Sequence, residues 1–196
     1  MWRVTLGAAL TITSTNLITG CANGTPKPPK IGAVASQSGQ LAASSGPPYW
    51  CDLIPKSALI QISGRRAALQ EKRGWWTAGQ GICRLEDGQE YDALSLVWEK
   101  SDGSDVVTTT LPGNAQYRPT ILPAYLGRGF TAKTNDLITY QPYYVISTFH
   151  CGAISPWLSI SMRDVARGRN YVTDLAELMR VVEKRFGLLH HCHTAG

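Results

Sequence analysis

The spacing of apolar residues changes period along this chain, and the changes mark out its elements. Leu94, Leu96 and Trp98 occupy alternate positions between Tyr91 and Lys100, with Ser95 turned the other way, the period of a half-buried strand. Gly81-Ile82-Cys83-Arg84-Leu85 precedes that run, and the intervening Asp87-Gly88 predicts a hairpin. Tyr144, Ile146 and Thr148 alternate with Val145, Ser147 and Phe149, while Leu158, Ile160 and Met162 alternate with Ser159 and Ser161. Gly152 to Pro156 joins these two strands into a second hairpin. Past Asn170 the period becomes 3.6. Leu175, Leu178, Met179, Val182 and Phe186 form one stripe of a long helix, with Asn170 or Thr173 as its cap and Gly187 as its stop.

Two stretches read differently. Pro55 stands where a helix places its first residue, Ala58, Leu59 and Ile62 follow, and Gly64 ends a short helix over 55–63. Arg65 to Gln80 is polar, a loop with a little strand. Ser101 to Asp136 contains Pro112-Gly113, Pro119, Pro123, Gly127 and Gly129, so a long functional or mobile loop is expected there. The sum is an α+β fold: an antiparallel β-sheet of hairpins packed against a long C-terminal helix and a short N-terminal helix.

The first 47 residues follow none of these periods. Arg3 is followed by a moderately apolar stretch from Val4 to Ile18, which ends in Leu17-Ile18-Thr19-Gly20-Cys21. This resembles a bacterial lipoprotein signal peptide with its lipobox. The resemblance implies lipidation of Cys21, cleavage just before it, and retention on the extracytoplasmic face of the membrane. The run is too short and too interrupted by Thr, Ser and Asn for a transmembrane helix. Ala22 to Pro48 is rich in Gly, Ala, Ser and Pro and has no aromatic residue, the composition of a flexible tether. Its root-mean-square reach is on the order of 28 Å. The expected organisation is a signal peptide over 1–20, a lipidated tether over 21–47 and one domain over 48–196.

Charge adds little. The net +5 falls to +4 without Arg3, and Lys27 and Lys30 leave about +2 on the domain, too little for a nucleic-acid face. The cysteines say more. There are five, and assigning Cys21 to lipid leaves Cys51, Cys83, Cys151 and Cys192, an even set expected to be oxidised outside the cytoplasm. Three connectivities are open on paper. Cys51–Cys83 and Cys151–Cys192 is the choice that brackets one local unit with each bridge.

The sequence contains no Cys-x-x-Cys, nucleophile elbow, Walker loop or dinucleotide fingerprint. All four histidines flank the second cysteine pair, His150 beside Cys151 and His190, His191 and His193 around Cys192. Such a group could hold zinc or copper. Adjacent strand residues point to opposite faces, however, so His150 should diverge from the bridge and no metal site is expected. Trp75 and Trp76 beside Lys72 and Arg73 could form an aromatic platform for glycan or lipid, or could be partly buried strand residues.

The run Trp50-Cys51-Asp52-Leu53-Ile54-Pro55-Lys56-Ser57-Ala58-Leu59, then Gly81-Ile82-Cys83, and the closing strand, helix and cysteine resemble a group of small actinobacterial lipoproteins of unknown function. The resemblance implies a lipobox, a tether and a cysteine-paired domain, and it carries no catalytic residues. The histidine-flanked second cysteine pair departs from that pattern. The expectation is a membrane-anchored, non-enzymatic surface lipoprotein without a cofactor that binds a small ligand or a partner. An interaction or structural component of an envelope complex is the alternative, and a metal carrier or enzyme built on the histidines is a third. An apolar pocket under the 101–136 loop would favour ligand binding over the structural role.

Overall fold

Seven strands pair antiparallel into one sheet in the computed structural model, which describes residues 48–110, 119–134 and 140–192. Cys21, the tether, the signal segment and His193 lie outside those residues. The chain opens with β1 (Tyr49–Trp50) and β2 (Ile54–Pro55), a two-stranded pair apart from the main sheet. Helix α1 (Lys56–Ser63) leads to β3 (Gln70–Gly74), β4 (Gln80–Glu86) and β5 (Leu94–Glu99). Helix α2 (Ser104–Thr110), β6 (Thr120–Ile121), a 3-10 turn (Ala124–Leu126) and β7 (Arg128–Lys133) come next. The β8 (Tyr143–Thr148) and β9 (Trp157–Met162) hairpin precedes helix α3 (Tyr171–Leu189). The strand order is β3-β4-β5-β9-β8-β7-β6, so the sheet centre is made by β9, from the second hairpin, beside β5, from the first. The fold is α+β, with both expected hairpins and both expected helices present.

Side-chain alternation gives the sheet two faces with different covers. Cys83, Leu85, Leu94, Leu96, Trp98, Leu158, Ile160, Met162 and Val145 point one way and pack with Leu175, Leu178, Met179, Val182 and Phe186 of α3 and Leu59 and Ile62 of α1. Phe130, Ala132 and Ile146 point the other way and pack under Val107 of α2. Asn170 caps α3, its Oδ1 accepting from the backbone N–H of Val172 at 3.0 Å and Thr173 at 3.4 Å. Gly64, at φ 70°, ends α1 with its N–H donating to Ile60 O at 2.8 Å.

Two sequence expectations are corrected. Gly187 does not stop α3. It is buried inside the helix, which runs on to Leu189. The 101–136 stretch is not one long loop either, since α2, β6, the 3-10 turn and β7 lie in it. β7 hides from a period search because Gly129, Phe130, Thr131 and Ala132 are all buried, so no exposed polar residue between its ends marks an outer face. Its glycine has a use there: a Cβ on Gly129 would sit 2.1 Å from Ile146 O, so the approach of β7 to β8 requires its absence.

An ion-pair network closes the sheet corner between β4, β5 and β9. The Asp87 side chain is only 2% exposed and is held by Arg163 and, at 2.6 Å, by Arg65 Nη1; Asp164 takes Arg65 Nε at 2.7 Å and Arg163 Nε at 3.1 Å. The Arg163 contact, above all, holds the Asp87 carboxyl below the usual carboxylate range, against the effect of burial. This is why Asp87-Gly88 marks the turn: the acid is an anchor as well as a turn former.

Candidate binding site

Helix α2 covers only the β7–β8 half of its face of the sheet. On the other half the register aligns Lys72 with Arg84, Gly74 with Ile82, Ile82 with Val97, and Glu99 with Trp157, all pointing away from α3. Of these side chains, Trp157 borders the cluster under α2, while Ile82 and Val97 lie farther along the sheet. Ile82 and Val97 are therefore half-buried apolar residues on an otherwise polar surface.

Trp75 stands over this surface, at the start of the β3–β4 turn, with 75% of its area exposed. Its φ of 42° lies in the left-handed region that bulky residues avoid. The turn is fixed behind it. Thr77 N–H donates to Gln80 O at 2.9 Å, and Thr77 Oγ1 accepts from Gly79 N at 3.2 Å and Gln80 N at 3.1 Å. Trp76 goes inward instead. It meets Trp98 edge to face at a centroid distance of 5.7 Å and carries the Arg73 guanidinium at 4.7 Å. Of the two adjacent tryptophans, one is a core residue and one is a platform.

Two clefts flank that platform and share Trp75 and Ile82. One, of about 170 Å³, is lined by Gln80, Gly81, Val97, Trp98, Glu99 and Trp157 as well. The other, of about 220 Å³, adds Lys72, Arg73, Gly74, Arg84 and Glu86. Its cations are already paired. Lys72 Nζ lies 2.6 Å from Glu86, Arg73 reaches Asp52 at 2.7 Å and Glu71 at 2.5 Å, and Arg84 lies 3.7 Å from Asp92. The carboxylates of Asp52 and Glu71 hold the Arg73 guanidinium firmly in its charged form. Both clefts are concave features beside exposed aromatic surface.

The structure joins Cys51 to Cys83, with Cα atoms 5.8 Å apart, and Cys151 to Cys192, with Cα atoms 5.1 Å apart. Cys51 and Asp52 both have positive φ, 54° and 58°, as the two central residues of a tight β1–β2 turn closed by Leu53 N–H to Trp50 O at 3.0 Å. Glu71 Oε2 accepts from Cys51 N at 2.7 Å, so the first bridge lies directly behind β3 and the clefts. Cys51, Glu71 and Cys83 are the group whose potential ligand atoms lie within 4.8 Å of one another, but both sulfurs are in the disulfide, so neither is a thiolate.

The described histidines, His150, His190 and His191, form no common ligand group. His190 packs between Trp98 and Phe186, with centroids 5.1 Å and 4.1 Å away, and burial chiefly, then Lys100 and His191, lowers its pKa. His191 turns outward at φ 54°, and His150 is exposed. No cluster of three potential ligands containing a histidine occurs among the described residues.

Sequence reasoning reached Trp75 but missed Ile82, Val97 and Trp157. The signal was available: each is apolar at a position where alternation calls for a polar residue. Among the described residues no helix is long and apolar enough to cross a membrane. Family models, curated proteins and solved structures were each searched, and none matches this chain.

Proposed function

We propose that this chain is a lipid-anchored, non-enzymatic surface protein whose domain binds a small ligand at the Trp75 clefts. The observation that carries the binding role is Trp75 itself, a large apolar ring held outward by a fixed turn over half-buried Ile82 and Val97. Exposing such a ring is unfavourable in water, and aromatic residues are the usual anchors of recognition surfaces. The two clefts together approach the volume range of small-ligand sites. Anchoring rests on the lipobox ending at Cys21 and the Gly/Ser/Pro-rich stretch behind it. The disulfide-bonded domain supports a location outside the reducing cytoplasm. A role within an envelope complex is the second reading, favoured by exposed Leu188 and Leu189 at the end of α3.

Both parts are testable in the full chain. Cys21→Ser, expressed in a host that processes lipoproteins, should move the protein from the membrane fraction to the soluble one; unchanged sedimentation overturns the anchor. A thermal-shift screen of sugars, lipid headgroups and fatty acids should yield at least one compound that raises the Tm of the wild type and not of Trp75→Ala. A screen with no such compound removes the binding role and leaves the envelope-component reading.

A further inference from the structure

Resting on that binding role, we infer that the Trp75 clefts take a neutral saccharide. The ligand must satisfy two kinds of surface at once. Trp75 offers an apolar plane, 75% exposed, flanked by Ile82 in both clefts. Around it stand polar groups that are charged yet already compensated: Lys72 holds Glu86 at 2.6 Å, and Arg84 lies 3.7 Å from Asp92.

An anion is a poor match for this rim. Every cation of the rim has a carboxylate beside it, so the local positive charge that would favour an anion is largely cancelled. A purely apolar ligand fits no better, because it would desolvate those ion pairs without replacing the water they lose. A polyhydroxylated ring meets both demands. Its C–H face lies on the indole plane, and each rim hydroxyl can accept from a lysine or arginine while donating to the paired carboxylate. Such bonds leave the existing pairs in place.

The first cleft adds a matching feature. Gln80 and Glu99 line it and supply a further donor and acceptors. A platform with a cleft on either side also suits a chain of sugar rings better than a single ring.

The test is calorimetric titration of the purified full chain with neutral chito-, cello- and malto-oligosaccharides, alongside inorganic phosphate, phosphatidylglycerol vesicles and a fatty acid. At least one neutral oligosaccharide should bind, with an affinity that is unchanged between low and high salt because no net charge is neutralised. Trp75→Ala should weaken that binding about tenfold or more, and Trp75→Tyr, which keeps a ring, should lose only a few-fold. Unchanged far-ultraviolet dichroism and Tm in both variants will separate lost binding from lost folding. Binding of phosphate, vesicles or fatty acid alone, lost in Trp75→Ala, would overturn the saccharide assignment while the binding role stands. Oligosaccharide binding unaffected by Trp75→Ala would overturn it as well. No binding of any probe would remove both.

Discussion

Glu183 is an acid where the apolar stripe of α3 continues, four residues after Met179 and three before Phe186. It is 5% exposed, and its Oε1 has no hydrogen-bond partner among the described residues. Burial raises its pKa to about 8, with a hydrogen bond to Ser147 acting in the opposite sense. The consequence for stability has a definite sign. Below the unfolded pKa of about 4.5 both states keep the proton, so nothing is lost. As pH rises from there to about 8 the unfolded chain ionises while the folded one stays protonated, and stability falls, at up to about 1.4 kcal/mol per pH unit. Above that range the contribution is flat. Glu183→Gln keeps the shape and removes the titration. Urea midpoints measured between pH 5 and pH 8 should therefore converge at pH 5 and separate in favour of the variant at pH 8, by an amount on the order of a few kcal/mol. Parallel curves would mean that Glu183 is ionised in the folded protein.

At the scale of elements, the parts that can be read from sequence are those whose apolar residues recur at a fixed period. β5 and β9 alternate because one side packs on α3, and α3 shows a stripe because its far side meets water. β7 is different, since α2 covers one of its faces and the interior the other, so burial on both sides erases the alternation. α2 escapes for another reason: seven residues with Val107 as the one buried side chain give too few apolar positions to define a period. The Trp75 site was half legible for the same cause. The exposed tryptophan stands out in a polar run, whereas Ile82, Val97 and Trp157 are meaningful only once register places them on one face of the sheet. Gly129 gives this account a test. Because a Cβ there would lie 2.1 Å from the carbonyl oxygen of Ile146, which is backbone and cannot turn aside, Gly129→Ala should cost roughly 2 kcal/mol or more. A Tm within a degree or two of the wild type would show that β7 and β8 can separate without penalty, and the tight pairing would lose its support.

Across the whole molecule the two disulfides act on different parts of the sheet. Cys51–Cys83 fastens the β1–β2 turn to β4, where Arg73 also ties Asp52 to β3, so it braces the side that carries the Trp75 clefts. Cys151–Cys192 fastens the end of α3 to the β8–β9 connection, where His190 N–H donates to Phe186 O at 2.9 Å and Cys192 N–H to Gly187 O at 2.9 Å. The sequence separations are 32 and 41 residues. In the chain-entropy account two such loops stabilise by about 4 kcal/mol each and differ by only about 0.2 kcal/mol. Removing either bridge with paired Cys→Ser changes should therefore lower the guanidinium midpoint by similar amounts. Hydrogen exchange should distinguish them, since local protection follows the contacts each bridge supports. Without Cys51–Cys83, amides of β3 and β4 should exchange faster while the last turn of α3 stays protected. Without Cys151–Cys192, that last turn should lose protection first and the cleft side should keep it. If both variants lose protection uniformly, the bridges act only on the unfolded chain, and the Trp75 clefts owe no local rigidity to the disulfide behind them.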